Sequence, residues 1–253
     1  MTASEDGVVR LYRHATGPAL VHIVRREVLP VRGVALERAT NSPRVAICSD
    51  ELIVRVVNAA DPRSITLLTG HSRGVRAASW SPILPLLATC GSDGDMRLWD
   101  MSSDEHICVK VVSGQLPALR PESELTSLAC WHPSGAYLAL PLRTQEIALV
   151  RTPARREDVR RSDMWTTLAV LGPASGTLSA EQRAPSGLVS ALAFSPNGRY
   201  LAAATEDAQV TIWAMDSRRV VRTQRAEALV TGLAWHPAKD VLAWTATQGQ
   251  LVR

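Results

Sequence analysis

The segment Gly70–Asp100 reads GHSRGVRAASWSPILPLLATCGSDGDMRLWD, opening on Gly-His and closing on Trp-Asp. Two apolar runs, VRAASW and LPLLATC, flank a Ser-Pro pair, and a third run, DMRLW, follows Asp93-Gly94. Proline lacks the N–H that would continue a strand, so the first run should end at Trp80 and the second should pair back on it. The segment therefore predicts three consecutive antiparallel strands.

The same pattern recurs along the chain. An aromatic residue, then Ser or His, then Pro ends a short apolar or alternating run, and a turn and another apolar run follow. The four occurrences are Trp80-Ser81-Pro82, Trp131-His132-Pro133, Phe194-Ser195-Pro196 and Trp235-His236-Pro237. The clearest hairpin is SPNGRYLA, because Asn197-Gly198 are residues that accept positive φ.

A second mark precedes each strand that alternates polar and apolar residues with period two. These marks stand at Asp6, Asp50, Asp93, Gln145, Asp207 and Gln248, spaced by 44, 43, 52, 62 and 41 residues. A repeat of about 40–45 residues with four strands is typical of WD40 propeller blades. The sequence therefore predicts an all-β WD40 β-propeller of four-stranded blades, with insertions in the two long intervals.

The repeat predicts one propeller domain over 1–253. Residues 1–14 form the last hairpin of a blade, and five further blades follow at 20–58, 65–100, 107–151, 165–214 and 220–253. A seven-bladed ring with about 42 residues a blade needs more residues than this chain has. We expect an incomplete part of such a ring, lacking the first one and a half blades and the C-terminal domains; a small closed ring is the alternative.

The composition narrows the class of protein. The chain has 28 basic and 24 acidic residues, and Lys110 and Lys239 are its only lysines. Arginine suits phosphate and carboxylate recognition, but the excess is mild, so a solvated basic surface and weak affinity for an acidic partner both stay open. The four cysteines form no C-x-x-C pair, which favours buried reduced thiols. Without a signal-peptide pattern or an apolar run of membrane-spanning length, the chain is expected in the cytosol or nucleus.

Two segments carry a narrower resemblance. Leu125–Thr152 has Ala-Leu-Pro-Leu where an ordinary blade has a Gly-Ser-x-Asp-Gly turn, and Ala228–Arg253 carries Thr-Gly-Leu-Ala-Trp-His-Pro. Together with LLTGHSRGVRAASWSP and VSALAFSPNGRYLAAATEDAQVTIW, in collinear order, the chain resembles the N-terminal WD40 domain of the eukaryotic replisome adaptor. That family links the replicative helicase to DNA polymerase alpha–primase and is also known for sister-chromatid cohesion.

The resemblance implies a nuclear, non-enzymatic scaffold in DNA replication, with helicase subunits and polymerase alpha–primase as partners. It also implies chromatin or DNA association, and homo-oligomers only through regions outside these residues. Within such a blade His71, Thr89, Asp93 and Trp99 are expected to form a hydrogen-bonded structural tetrad rather than a catalytic site. A generic WD40 scaffold, such as a ubiquitin-ligase substrate receptor or a chromatin-complex subunit, is the alternative.

Sequence motifs for catalysis are not found. The chain has no G-x-S-x-G, P-loop or G-x-G-x-x-G, and its six histidines are dispersed. His132 and His236 follow the blade tryptophans and precede proline, so they are expected in turns rather than as metal ligands. We therefore predict no enzyme activity, cofactor, metal, small-molecule substrate or membrane partner.

Arginines supply the remaining site candidates. The insertion Arg151–Arg161, RTPARREDVRR, is expected to be an exposed loop between two blades. Either it is merely solvated, or Arg155, Arg156, Arg160 and Arg161 contact phosphate or an acidic peptide. Arg73 and Arg76 follow the Gly-His turn and are candidate partner contacts at the propeller rim.

Overall fold

The fold is built from β-strands. The computed structural model describes residues 2–3, 6–13, 19–37, 43–59, 61, 63–103, 105–113, 129–142, 146–172, 188–247 and 251–252. Among these residues there are strands and two short 3-10 helices but no α-helix. The strands pair antiparallel with their chain neighbours and form sheets of three or four strands. The prediction of an all-β fold with four-stranded blades is confirmed. Two compact units make up the chain, Met1–Val111 and Val112–Arg253.

The first unit holds three sheets, ordered β1-β2-β3, β4-β5-β6-β7 and β11-β10-β9-β8. Its strands are β1 (Thr2–Ala3), β2 (Val8–Arg13), β3 (Ala19–Arg26), β4 (Val31–Leu36), β5 (Arg44–Ser49), β6 (Ile53–Asn58), β7 (Ile65–Thr69), β8 (Val75–Trp80), β9 (Leu86–Gly91), β10 (Met96–Asp100) and β11 (Cys108–Val112), which ends at the boundary. In both four-stranded sheets the strands follow chain order, so each sheet is a meander.

The second unit also holds three sheets, ordered β12-β13-β14-β15, β16-β17-β18-β19 and β20-β21-β22. Its strands are β12 (Cys130–Trp131), β13 (Tyr137–Pro141), β14 (Ile147–Arg151), β15 (Thr167–Leu171), β16 (Val189–Phe194), β17 (Tyr200–Thr205), β18 (Gln209–Ala214), β19 (Arg219–Arg225), β20 (Val230–Trp235), β21 (Leu242–Ala246) and β22 (Leu251–Val252). The 3-10 helices Arg156–Asp158 and Ser162–Met164 lie between β14 and β15.

The sheets are offset by one strand from the predicted repeat units. The unit 20–58 begins with β3, which pairs with β2 of the sheet before, and it leaves out β7. β7 pairs with β6 over Ile53↔Thr69 to Val57↔Ile65, so it is the outer strand of the sheet that β4 starts. The connection from β6, which ends at Asn58, to β7, which begins at Ile65, is short, so β7 can pair antiparallel with β6. Each predicted repeat unit therefore starts with the outer strand of one sheet and continues with three strands of the following sheet. The unit 65–100, for example, contains β7 and then β8, β9 and β10.

The predicted turns are confirmed. β16 ends at Phe194 and β17 starts at Tyr200, and the N–H of Gly198 donates to the carbonyl of Ser195 over 2.8 Å. Gly198 has φ of 71°, in the left-handed region that glycine enters without steric cost. Two predicted marks, Thr144-Gln145 and Gln248-Gly249, lie outside the described residues, although strands follow both.

Within each unit the cores lie between neighbouring sheets. In the first unit, β5, β6, β8 and β9 supply most of one buried cluster, which includes Trp80, Leu87 and Trp99. Within both units an indole ties neighbouring sheets together: Trp80 Nε1 donates to the Ala35 carbonyl and Trp235 Nε1 to the Ala193 carbonyl, each over 3.0 Å. These strands have apolar neighbours on both faces, which explains why runs such as LLATCG are buried at every position. None of the described helices has the length and apolar character that crossing a membrane requires.

Candidate functional site

The four predicted tetrad residues form one chain of hydrogen bonds beside β9 and β10. His71 Nδ1 lies 2.9 Å from Asp93 Oδ2, and His71 Nε2 lies 2.9 Å from Thr89 Oγ1. Trp99 Nε1 donates to the same hydroxyl over 2.9 Å. Because the indole can only donate, the consistent arrangement has the Thr89 hydroxyl donating to Nε2 and the Nδ1–H donating to Asp93. The structure therefore brings all four residues together.

Burial sets the electrostatics of this chain. It lowers the pKa of His71, against the opposing effect of the Asp93 carboxylate, so the imidazole stays neutral at pH 7. Burial works to raise the pKa of Asp93, but hydrogen bonds from the Ser72 N–H, His71 and the Asp95 N–H outweigh it and lower that pKa. Each of the four tetrad side chains is hydrogen-bonded to another member of the tetrad. The arrangement leaves neither a free base nor an exposed nucleophile.

A close approach of backbone to the tetrad explains Gly91 at the end of β9. A Cβ at this position would lie 2.6 Å from His71 Nδ1 and 2.5 Å from Asp93 Oδ1, which real contacts do not allow. Only glycine leaves room for the histidine–carboxylate pair. The Gly-Ser-Asp-Gly stretch thus serves both the turn and the tetrad.

The two arginines after the Gly-His turn occupy different environments. Arg73 is exposed. Arg76 is only 4% exposed, donates Nε–H to Ser92 Oγ over 2.7 Å and pairs with Asp50 over 3.0 Å. Asp50 is shared with Arg32, whose hydrogen bond is the main cause that lowers the pKa of this carboxyl. Arg76 therefore does not lie on the surface where the sequence predicted a partner contact, because it links neighbouring sheets through Asp50.

The arginine-rich insertion is exposed, as the sequence suggests, but it connects two neighbouring strands of one sheet, β14 and β15, rather than two blades. Arg155, Arg156, Arg160 and Arg161 are all exposed. Trp165 anchors the loop from inside, since its buried Nε1 donates to the Val159 carbonyl over 2.9 Å. The loop is thus held in place and presents its arginines outward.

Acidic neighbours partly neutralise that loop. Arg161 lies 2.9 Å from Asp163 and 3.6 Å from Asp158, and Arg155 lies 3.3 Å from Glu157. Exposed pairs of this kind stabilise little and exchange easily with other anions. The loop keeps an excess of positive charge.

The histidines and cysteines show local roles. His132 Nδ1 lies 2.6 Å from Ser134 Oγ, and its Nε2 lies 3.1 Å from the Gly198 carbonyl, so both ring nitrogens are used within turns. Burial raises the pKa of the Cys48 thiol to about 12 and that of Cys130 to about 11. In the part of the chain that the structure describes, no three His, Cys, Asp or Glu side chains group as metal ligands would.

One surface feature has no counterpart among the predicted sites. A groove of about 430 Å³ lies between β19 of one sheet and the turn before β21 of the next. Its lining includes Tyr200, Val221, Arg222, Trp235 and Trp244. Sequence periodicity could not show it, because its two walls come from different sheets. The sequence gives the aromatic residues Tyr200, Trp235 and Trp244 but not the fact that they lie along one groove.

The comparison with protein families covers all but the last residue of the chain. The model of the WDHD1 first WD40 domain matches residues 1–252. The chain belongs to this family. The resemblance stated from the Ala-Leu-Pro-Leu and Thr-Gly-Leu-Ala-Trp-His-Pro segments is thereby confirmed.

Individual proteins that are similar to this chain are consistent with this family. Minichromosome loss protein 1 of Schizosaccharomyces pombe is 30% identical over 250 residues, covering 99% of this chain and 28% of that protein. WD repeat and HMG-box DNA-binding protein 1 is 25% identical in Xenopus laevis, over 84% of the chain and 17% of that protein. The human protein of that name is 24% identical over 82% of the chain and 17% of its own length. The chain therefore spans less than a third of these relatives.

Proposed function

We propose that this WD40 domain is a non-enzymatic scaffold of DNA replication in the nucleus. Its partners are replicative helicase subunits and DNA polymerase alpha–primase, and its chromatin association serves chromosome cohesion. The observation that carries the proposal is the family match over residues 1–252. The names of the relatives point the same way, since one refers to minichromosome loss and another to DNA binding.

The chemistry of the described residues supports a scaffold. The His71–Asp93 pair could be taken for part of a catalytic triad, but Thr89 Oγ1 is fully buried and serves Trp99 and His71 at once. A nucleophile must reach a substrate and have a base that can accept its proton. We assign the tetrad a structural role on this ground.

The exposed arginine loop is the part of this domain that we assign to DNA or chromatin. Arg155 and Arg161 are 76% and 58% exposed, and their carboxylate partners are exchangeable. Phosphate contacts of this kind do not depend on base sequence and weaken as salt rises. No aromatic side chain within the stretch Arg151–Arg161 offers a base-stacking surface, so we propose backbone contacts only.

The test is affinity capture of the tagged protein from replicating cells. We expect helicase subunits and polymerase alpha–primase in the captured material, and capture of neither would overturn the proposal. A predominance of ubiquitin-ligase or histone-modifying subunits would instead select the alternative scaffold.

A variant separates DNA contact from protein contact in the same experiment. Replacing Arg155, Arg156, Arg160 and Arg161 with Ala should reduce the recovery of chromatin and leave the protein partners unchanged. The matched control replaces Arg218, Arg219, Arg222 and Arg225 with Ala, which removes the same charge from a different surface. An equal loss of chromatin in both variants would show that only net charge matters.

A further inference from the structure

We propose that the groove beside β19 is a docking site for an extended peptide that combines acidic and apolar residues. The proposal does not depend on the replication assignment, since it rests on the chemistry of one surface in the second unit. Three observations carry it: the unpaired edge of β19, the arginines along that strand, and the apolar walls of the groove.

The edge of β19 is available for pairing. β19 pairs with β18 from Gln209↔Arg225 to Ala214↔Arg219, and no other described strand pairs with it. An outer strand presents backbone N–H and C=O groups that an extended peptide can satisfy by adding one strand. The outer strands β3, β7, β11 and β15 share this property, so the edge alone does not select a partner.

Charge distinguishes β19 from the other outer strands. β7 (ITLLT) and β15 (TLAVL) carry no charge, β11 (CVKVV) carries one lysine, and β3 (ALVHIVRR) carries two arginines at its end. β19 reads RVVRTQR, and Arg218 precedes it. Among the described residues, none of Arg218, Arg219, Arg222 and Arg225 forms an ion pair. The strand therefore favours an acidic partner, and it disfavours a second copy of itself because two such edges would repel.

The groove next to this strand is apolar. Val221 and Val241 are 54% and 43% exposed, and the rings of Tyr200 and Trp235 stack 6.0 Å apart between their centroids. Trp244 adds a wall whose indole N–H has no acceptor among the described residues. The volume of about 430 Å³ falls in the range of about 300–1,000 Å³ that is usual for binding pockets. An apolar side chain fits this chemistry.

The polar rim leaves room for a carboxylate. Arg222 lies on the groove and donates to Gln224 Oε1 over 3.1 Å. This amide oxygen is a neutral acceptor, and a peptide carboxylate would be a stronger one for the same guanidinium. The one acidic residue of the lining, Asp240, accepts a hydrogen bond from Asn197 Nδ2 over 2.9 Å. In an extended peptide alternate residues face opposite ways, so apolar side chains can enter the groove while acidic ones meet the arginines.

The test uses the purified chain and labelled peptides of about ten residues, the length of a long strand. One peptide alternates Asp with Leu, a second alternates Lys with Leu, and a third alternates Asp with Ser. Fluorescence anisotropy measures binding of each. We expect saturable binding of the Asp–Leu peptide and at least about tenfold weaker binding of the other two, since each lacks one of the two contacts.

Matched variants locate the site. Arg222→Glu should weaken the Asp–Leu peptide about tenfold, whereas Arg155→Glu, with the same charge change on the arginine loop, should not. Val221→Ser should weaken it as well, whereas Val170→Ser, at an exposed valine of β15, should leave it unchanged. All four positions are exposed, and circular dichroism should show unaltered melting.

Four results would overturn the proposal. They are no binding of the Asp–Leu peptide at about 1 mM, equal binding of the Asp–Ser peptide, equal losses in the test and control variants, and displacement of the peptide by single-stranded DNA as readily as by unlabelled peptide. The last result would make the surface a general anion site. Since the probes are synthetic, failure here would leave the affinity-capture result untouched, and the reverse also holds.

Discussion

Two sheets of this protein have the same strand arrangement and different interiors. We call β8–β11 the tetrad sheet and β16–β19 the alanine sheet. Trp99 faces Leu87 across the strands of the first, and Trp213 faces Leu201 in the second, at the same register. Both indoles are buried, 3% and 2% exposed. The position that holds Thr89 in the tetrad sheet holds Ala203 in the other.

The two indoles differ in their hydrogen bonds. Trp99 Nε1 donates to Thr89, whereas Trp213 Nε1 has no acceptor among the described residues. The buried hydroxyl of Thr211, two residues before Trp213, also has no hydrogen-bond partner among them. The turn differs as well: Gly94 of the tetrad sheet has φ of 79°, and Ala208 takes the corresponding place with φ of 62°. A sheet with this strand arrangement can therefore form without the tetrad.

The largest effect is expected from Thr89→Ala, which gives the tetrad sheet the residue that the alanine sheet already has. It leaves the Trp99 N–H without its acceptor and His71 Nε2 without its donor, at about 1–3 kcal/mol for each buried group. We expect about 3 kcal/mol less stability in urea unfolding followed by circular dichroism. A loss below about 0.5 kcal/mol would mean that the tetrad contributes no more than ordinary packing.

Replacing each indole with phenylalanine tests the comparison at matched positions. Trp99→Phe removes a donor that is used, and we expect a loss of about 1.5 kcal/mol. Trp213→Phe removes a donor that has no partner, so the relief of that unpaired group offsets the lost ring volume. The difference between the two variants, measured by the same urea unfolding, isolates the hydrogen bond. Equal losses would show that ring volume alone decides stability at this position.

The smallest effect should come from Ala208→Gly in the turn, which is compared with Gly94→Ala at the corresponding position. Gly94→Ala places a Cβ in the left-handed region and should cost about 1–2 kcal/mol, whereas Ala208→Gly should relieve that strain. The gain at Ala208 is expected to be smaller, about 0.5 kcal/mol, because glycine also adds freedom to the unfolded chain. Thermal melting should therefore shift in opposite directions. A drop in both variants would indicate that Ala208 makes contacts worth more than its strain.

Much of the fold could be predicted from the sequence because its signals are local. Period-two alternation marks β10 and β18, and the aromatic-Ser/His-Pro triplet marks the ends of β8, β12, β16 and β20. The tetrad of His71, Thr89, Asp93 and Trp99 was expected from the resemblance to WD40 blades, which the Gly-His and Trp-Asp ends of its segment carry. Such patterns act through φ, ψ and the faces of single strands.

The site candidates fared differently because exposure is a property of packing. Arg73 and Arg76 stand three residues apart on the same turn and strand, yet one is exposed and the other is 4% exposed against Asp50. The arginine loop was recognised as exposed, but its place between β14 and β15 depends on which strands pair. The residues next to Arg73 and Arg76 in the sequence do not indicate which of the two arginines is buried.

The sequence by itself determined the strands, their turns and the membership of the WD40 family, because each follows from residues close together in the chain. Only the tertiary structure decided which strand closes each sheet, which arginine is buried, and that Val221 and Val241 line one groove. These depend on contacts between residues distant in sequence, where packing and the loss of water outweigh any local preference. The groove beside β19, the surface on which we propose peptide docking, belongs to this second kind.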